Sequence, residues 1–275
     1  MKALINRMKS CEIAVRVDNP DLIITASEII PESGNHLMAV ILDFDKDLSK
    51  IQSNEKWGAI PIALMAPSMG KFRDVAKGVR ILRGLNLRVF LPNSPENLTG
   101  VRILASIGVA CCIVPEGASI DWDGLADLMT YAILEGVPHA PVEPFDFMRR
   151  HYRENSYIEW GRSYFEDPEH FLHLDSTGRA AISRSALLKG DFIGDVNYLI
   201  AAAGAALEWK KLARRRLFLE NHPCSRCPGF KICLGRLWRG EENIAGCSGF
   251  FSEAAEVLEL YHPKSAVEGE HLWQL

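Results

Sequence analysis

"LRVFLPNSPENLTGVRILASIGVACCIVPE", residues 87–116, packs a strand, a capped helix and a second strand into one stretch. The apolar run from Leu87 stops at Pro92-Asn93. Ser94 carries the hydroxyl of an N-cap, and Pro95 has the fixed φ that suits a first helical position. "ENLTGVRILASIG" carries the helix, and "ACCIVPE" (110–116) returns to a buried strand. The same texture extends upstream. "LMAVILDFD" (37–45) and "IPIALMAP" (60–67) read as buried strands, and "KFRDVAKGVRILRGL" sets Phe72, Val75, Val79 and Leu82 at helical spacing among arginines and lysines. Downstream, Asp121 opens "DWDGLADLMTYAIL", whose Leu125, Leu128, Met129 and Ala132 share one face. "EIAVRV" (12–17) adds an early strand. Alternation of this kind means βαβ units, a parallel sheet and the α/β class. Three or four such units are too few to close an eight-stranded barrel, so the expectation is a partial, open TIM-like barrel.

At 275 residues with 48% hydrophobic residues, 24% charged residues and a net charge of −4, the chain can bury a proper core. That charge gives no bulk attraction to nucleic acid. Arg7, Lys9 and Glu12 interrupt the N-terminal segment, which therefore does not read as a signal peptide. "YLIAAAGAAL" is too short to span a membrane. The chain reads as cytoplasmic, with neither a membrane nor a nucleic acid among its partners. In a reducing compartment, clustered cysteines are metal or redox groups rather than disulfides.

The texture changes near Gly136. "GVPHAPVEPFD" reads as a proline-rich connection. "HFLHLDSTGRAAIS" (170–183) reads as a β-hairpin turning at Asp175–Gly178. Asp195 then opens a long helix through "VNYLIAAAGAALEWKKLARRRLFLEN", with Val196, Leu199, Ile200, Ala203 and Leu207 on its inner face, and this helix delivers the chain to the cysteines. The end of the sequence reads as a short helix and a loose terminus. Four parts follow: 1–140, the βα units; 141–169, a connection; 170–255, the cysteine region; and 256–275, a tail.

Four of the seven cysteines lie in that cysteine region: Cys224, Cys227, Cys233 and Cys247. A C-x2-C turn aims both sulfurs to one side, Pro228 and Gly229 permit a turn back to Cys233, and Gly246 and Gly249 flank Cys247. Four thiolates can hold a zinc ion or a 4Fe–4S cluster, and donor type alone does not separate the two. Lys210, Lys211, Arg214, Arg215, Arg216, Arg226, Lys231, Arg236 and Arg239 surround the motif. They would favour an anionic cluster, although Lys210–Arg216 also read as the solvated face of a helix.

The order C-x2-C-x5-C, gap, C resembles the C-terminal SPASM region of radical SAM enzymes that mature peptides. In that family the region follows a partial TIM barrel and holds two auxiliary 4Fe–4S clusters. Ser183, Leu199 and Leu237 stand where the family has further cysteines, whereas Gly194 matches its glycine. The resemblance implies loss of the first auxiliary cluster and retention of the second, held by Cys224, Cys227, Cys233 and Cys247. It thereby favours 4Fe–4S over zinc. The C-x3-C-x2-C motif that binds S-adenosylmethionine is missing, because Cys11, Cys111 and Cys112 cannot form it. Cys111 and Cys112 are adjacent in a strand and point to opposite faces. The implied protein is a degenerate, pseudo-radical-SAM member, similar to the stand-alone SPASM-domain partners of Geobacter-type systems. It would bind one cluster, take no S-adenosylmethionine, contribute no catalytic residue, and act as scaffold or electron relay for a radical SAM/SPASM enzyme and its peptide substrate. Two alternatives stay open: a structural-zinc binding module, and an enzyme using Asp43 and Asp45 at the strand ends. His170 and His173 are read as a strand pair that a third ligand could complete. His222 is read as a donor to cluster sulfur or a replacement for Cys247.

Overall fold

The computed structural model describes residues 2–51, 55–115, 120–152, 157–235 and 244–261. The chain begins α1 (Lys2–Ile5), β1 (Glu12–Val17), α2 (Leu22–Glu32), β2 (His36–Asp43), β3 (Ile62–Met65) and α3 (Phe72–Gly84). It continues β4 (Leu87–Pro92), α4 (Pro95–Ser106), β5 (Ala110–Val114), α5 (Trp122–Leu134) and β6 (Val142–Glu143). The six strands form one parallel sheet in which each strand lies beside its predecessor. Parallel neighbours need crossovers, and right-handed crossovers in one direction stack their helices on one face. The chain is thus α/β, as its alternation implies. The expected caps are made: Ser94 Oγ accepts from the Asn97 N–H at 3.3 Å, and the Asp121 carboxylate accepts from the Gly124 N–H at 3.0 Å.

Alternation along each strand sorts the core into two faces. Val40, Leu42, Val89, Leu91, Cys111 and Ile113 pack with Ile23, Leu82, Leu104 and Leu125 of the helices. Ala39, Ile41, Phe90, Cys112 and Val114 point the other way, where Tyr164 and Phe165 cover them. The Phe165 ring centroid lies 5.9 Å from that of Phe90.

The proline-rich "GVPHAPVEPFD" is more than a connection, because it contains β6. Val142 and Glu143 pair with Cys111 and Cys112. A two-residue strand between prolines shows no periodicity, so only its neighbours identify it. α6 (Phe145–His151) follows directly. Asp146 accepts from the Val142 N–H at 2.7 Å and Glu143 from the Phe147 N–H at 2.6 Å. α2, between the early strand at 12–17 and the run at 37–45, likewise went unread in the sequence.

Beyond residue 160 the architecture changes. β7 (His173–Leu174) and β8 (Arg179–Ala181) make the expected antiparallel hairpin, and Asp175 accepts from the Thr177 and Arg179 N–H groups at 2.9 Å each. A third strand, β9 (Gly194–Asp195), joins it after α7 (Arg184–Lys189). α8 (Leu199–Leu219), α9 (Phe230–Cys233) and α10 (Ile244–Leu260) complete the described chain. A Cβ at Gly194 would stand 2.7 Å from the Ala202 Cβ, so this glycine lets β9 touch α8.

Two expectations are corrected here. The buried residues of α8 are Ala202, Ala206 and Lys210, not the seam through Ile200 and Ala203; Ile200 is 92% exposed. Small residues at i, i+4 pack closest to the sheet-side segments and turn the larger apolar side chains outward. The C-terminal helix is a seventeen-residue element sunk in the main core, not a short terminal one. Its Phe251 stacks edge-on to Trp160 at 5.1 Å, and its Phe250 lies 5.7 Å from Trp122. Among the described residues, no helix is long and apolar enough to cross a membrane.

Candidate metal centre

The path into the cysteines is built by one capping motif after another. α8 stops because Asn221 takes a left-handed φ of 55°. That turn lets the Asn221 N–H reach the Phe218 carbonyl at 3.2 Å and the His222 N–H reach the Leu217 carbonyl at 2.9 Å, the double closure of a helix C-terminus. His222 then caps the next turn, Pro223–Arg226, its Nδ1 accepting from the Cys224 N–H at 3.2 Å. The Cys227 N–H bonds back to the Cys224 carbonyl at 3.2 Å, which places the C-x2-C pair on a single turn. α9 begins as the Phe230 N–H reaches the Cys227 carbonyl at 3.0 Å, and it ends on Cys233.

Leu234 and Gly235 follow with φ of 55° and 76°. A Cβ at Gly235 would lie 2.7 Å from Leu217 and 3.9 Å from the Cys224 Sγ, so the backbone leaving Cys233 crosses beside Cys224. Cys247 comes from the first turns of α10 rather than from a loop. Of its flanking glycines, Gly246 is needed, since a Cβ there would run into the Trp122 ring; Gly249 has open space. Gly229, whose Cβ would collide with that of Phe251, lets α10 press on the cysteine turn.

The four thiols act on one another. Burial, then Cys233 and Cys227, push Cys224 up to about 11. Cys247 is driven higher still by a hydrogen bond with Cys233, by burial, and by the approach of Cys233, Cys227 and Cys224. The Cys227 Sγ lies 3.9 Å from the Ser248 hydroxyl. None of the seven cysteines is in a disulfide. Thiolates gathered in this way repel each other, and a bound cation relieves that repulsion by replacing the protons. Among the described residues, no three histidine, cysteine, aspartate or glutamate side chains are already posed to hold a metal ion. The fit to a four-thiolate centre is therefore one of donor chemistry and neighbourhood, not of a closed coordination sphere.

Several of the surrounding cations have other work. Lys210 is buried and reaches Glu159 at 2.9 Å, Asp167 at 2.7 Å and Glu169 at 2.9 Å. Burial alone would lower its pKa, but the three carboxylates raise it. This corrects its reading as part of a solvated face. Arg214 pairs with Glu159 at 2.6 Å, Lys211 with Glu208 at 2.8 Å and Lys231 with Glu259 at 3.3 Å. Arg226 donates to Asn221. Arg236, Arg239 and Leu237 lie outside the described residues.

Ser183, standing where the SPASM pattern has a cysteine, caps α7 by accepting from the Ala186 N–H at 3.0 Å. Leu199, at another such position, packs against the cluster of Ile5, Met8 and Ile30. Asp43 is clasped by Arg16 at 2.5 Å and Arg184 at 2.9 Å, while Asp45 is exposed. His170 and His173 do not form a strand pair. His170 lies in a turn before β7, its Nδ1 2.5 Å from Asp167, and only His173 is in the strand. Desolvation, helped by Arg16, lowers His173 to about 4. Sequence reasoning missed the set of Lys210, Glu159, Asp167 and Glu169; a lysine in register with two buried alanines was the available signal.

No known protein family, curated protein or solved structure matches the chain.

Proposed function

We propose that this chain is an iron–sulfur scaffold protein that binds one 4Fe–4S cluster through Cys224, Cys227, Cys233 and Cys247. In this reading the sheet and its helices are a partial, open barrel without a radical-generating centre, and residues 170–255 are a degenerate SPASM-like region. The protein then serves as a cytoplasmic, non-catalytic partner of a radical SAM peptide-modifying enzyme.

One observation carries the reading: thiols from the turn after α8, from α9 and from α10 lie close enough that Cys233 and Cys227 help raise Cys224, and that all three help raise Cys247. The sequential strand order suits a partial barrel, in which each βα unit lies beside the last. The clasp of Arg16 and Arg184 on Asp43 weighs against an enzyme working through strand-end carboxylates, because a general base needs an available oxygen. A cluster held by these cysteines would supply reversible electron storage and a covalent brace between α9 and α10. The residues of this chain orient it: Gly235 and Gly229 permit the close approach, and His222 fixes the turn that presents Cys224.

Purification without oxygen, followed by assay of iron, sulfide and zinc per chain, tests this. The expected result is iron and sulfide in equal amounts, with an absorbance band at about 400 nm. Zinc without sulfide, persisting after attempted reconstitution with iron and sulfide, turns the centre into a structural staple and overturns the proposal.

A further inference from the structure

α8 has a second apolar face that the described residues leave exposed. Its buried side is the Ala202, Ala206 and Lys210 seam. On another side Ala205, Leu212 and Leu219 continue, every seven residues, from Tyr198 at the helix N-cap, with Trp209 between Ala205 and Leu212. The large members are all exposed: Tyr198 by 70%, Trp209 by 47%, Leu212 by 54% and Leu219 by 72%. A seven-residue repeat with an intermediate anchor is the pattern by which one helix receives another.

Charge selects the kind of helix. Within α8 the only carboxylate is that of Glu208, and it is occupied by Lys211 at 2.8 Å. Arg215 and Arg216 stand exposed beside Leu212 and Leu219. A second copy is a poor match. Parallel pairing would oppose these arginines to themselves, and antiparallel pairing would set them against Leu199–Gly204, which has no carboxylate. A membrane surface is also a poor match. In-plane membrane helices use a broad apolar face with many cations, whereas this stripe is narrow and carries two unbalanced ones.

We propose that α8 is a docking surface for an amphipathic helix of a partner protein, one with an apolar stripe flanked by acidic residues. The site is independent of any metal at the cysteines.

The test uses the full chain and two synthetic helical peptides with identical leucine heptads, one flanked by glutamate and the other by lysine. Fluorescence anisotropy is expected to show the acidic peptide binding at least about tenfold more tightly. Leu212→Glu should lose that binding, and the double variant Arg215→Glu/Arg216→Glu should reverse the preference toward the lysine peptide. All three positions are exposed, so thermal midpoints and iron content should stay unchanged, which separates lost docking from lost folding. Equal binding of both peptides, or binding of neither, overturns the proposal. Two further results also overturn it: sedimentation showing a dimer that Leu212→Glu dissociates, which assigns the stripe to a second copy, and binding to phosphatidylserine vesicles without discrimination between the peptides.

Discussion

Cys111 and Cys112 in β5 and the four cysteines from the turn after α8 to α10 are the same residue in opposite surroundings. In both places thiol pKa values rise, and burial comes first for Cys111, Cys112 and Cys224 alike; what differs is how many other thiols add to it. For Cys111 and Cys112 the first cause is burial, and the nearby Arg88 opposes it. Their sulfurs are spent on backbone carbonyls, Cys111 on Val109 at 3.3 Å and Cys112 on Ile113 at 3.8 Å. They are small core hydrophobes, one on each face of the sheet. Cys224 and Cys247 rise partly because other thiols stand beside them. A cysteine becomes a ligand candidate through the company it keeps, not through burial.

The sharpest break of this contrast is in metal content. Cys233→Ala should abolish bound iron and lower hydrogen-exchange protection across the cysteine turn and α10. Cys111→Ala should leave iron content intact and cost about 1–2 kcal/mol, the order expected for deleting one heavy atom from a packed core. Equal iron in the two variants would falsify the ligand assignment.

A second contrast concerns Lys210 and Lys211, neighbours on α8. Lys210 holds three carboxylates and the Asp167 side chain is fully buried, whereas Lys211 meets Glu208 in solvent. Removing one partner from a buried set leaves charge uncompensated. Lys210→Ala should therefore cost about 3–5 kcal/mol in urea unfolding, and Lys211→Ala less than about 0.5 kcal/mol. Similar losses in the two variants would mean that the buried set does not tie α8 to the segment around Asp167.

These pairs also show what the sequence can reveal. The βα units were legible because strand and helix there are local events: apolar runs of strand length, a capping serine, an aspartate before a periodic stretch. β6 was not, because two residues between prolines acquire strand geometry only from β5. The four cysteines announced themselves by spacing. The role of Lys210 did not, since its carboxylates come from positions 159–169, forty or more residues away. Nor did the packing of α10, whose aromatic contacts with Trp122 and Trp160 span still longer stretches of chain. Long-range polar pairing carries no periodic signature, so it has to be seen.

A pH experiment compares His173 with the rest of its hairpin. Its neighbours are Arg16, Arg184 and Glu166, the last at 4.0 Å. Its pKa falls from 6.5 to about 4 on folding, so the folded state favours the neutral ring. The unfolded chain binds more protons between those values, and stability drops as pH falls from 6.5 towards 4. The full shift corresponds to roughly 3 kcal/mol at most. Asp167 and Glu169 are held below their ordinary values, so their contribution is lost in a more acidic range. His173→Gln should flatten the denaturant midpoint between pH 6.5 and 4.5. A variant with an unchanged slope would place the acid sensitivity elsewhere.

A small expected effect bears most directly on the proposed SPASM-like reading. In that reading Ser183 stands where a full member would have a cysteine ligand, and here it caps α7. Losing the cap should cost about 1 kcal/mol, so Ser183→Ala should lower the unfolding midpoint slightly. Ser183→Cys should lower it by a similar amount, because a thiol is a weak acceptor for the Ala186 N–H. Neither change should alter iron content, since Leu199 packs in an apolar cluster and offers no second ligand nearby. Additional iron in Ser183→Cys would mean that a second cluster can be seated beside β8 and α7, as the proposed SPASM-like reading implies for a full member. The departure from a full member would then be one of side chains, with the backbone around β8 and α7 shaped to receive a cluster.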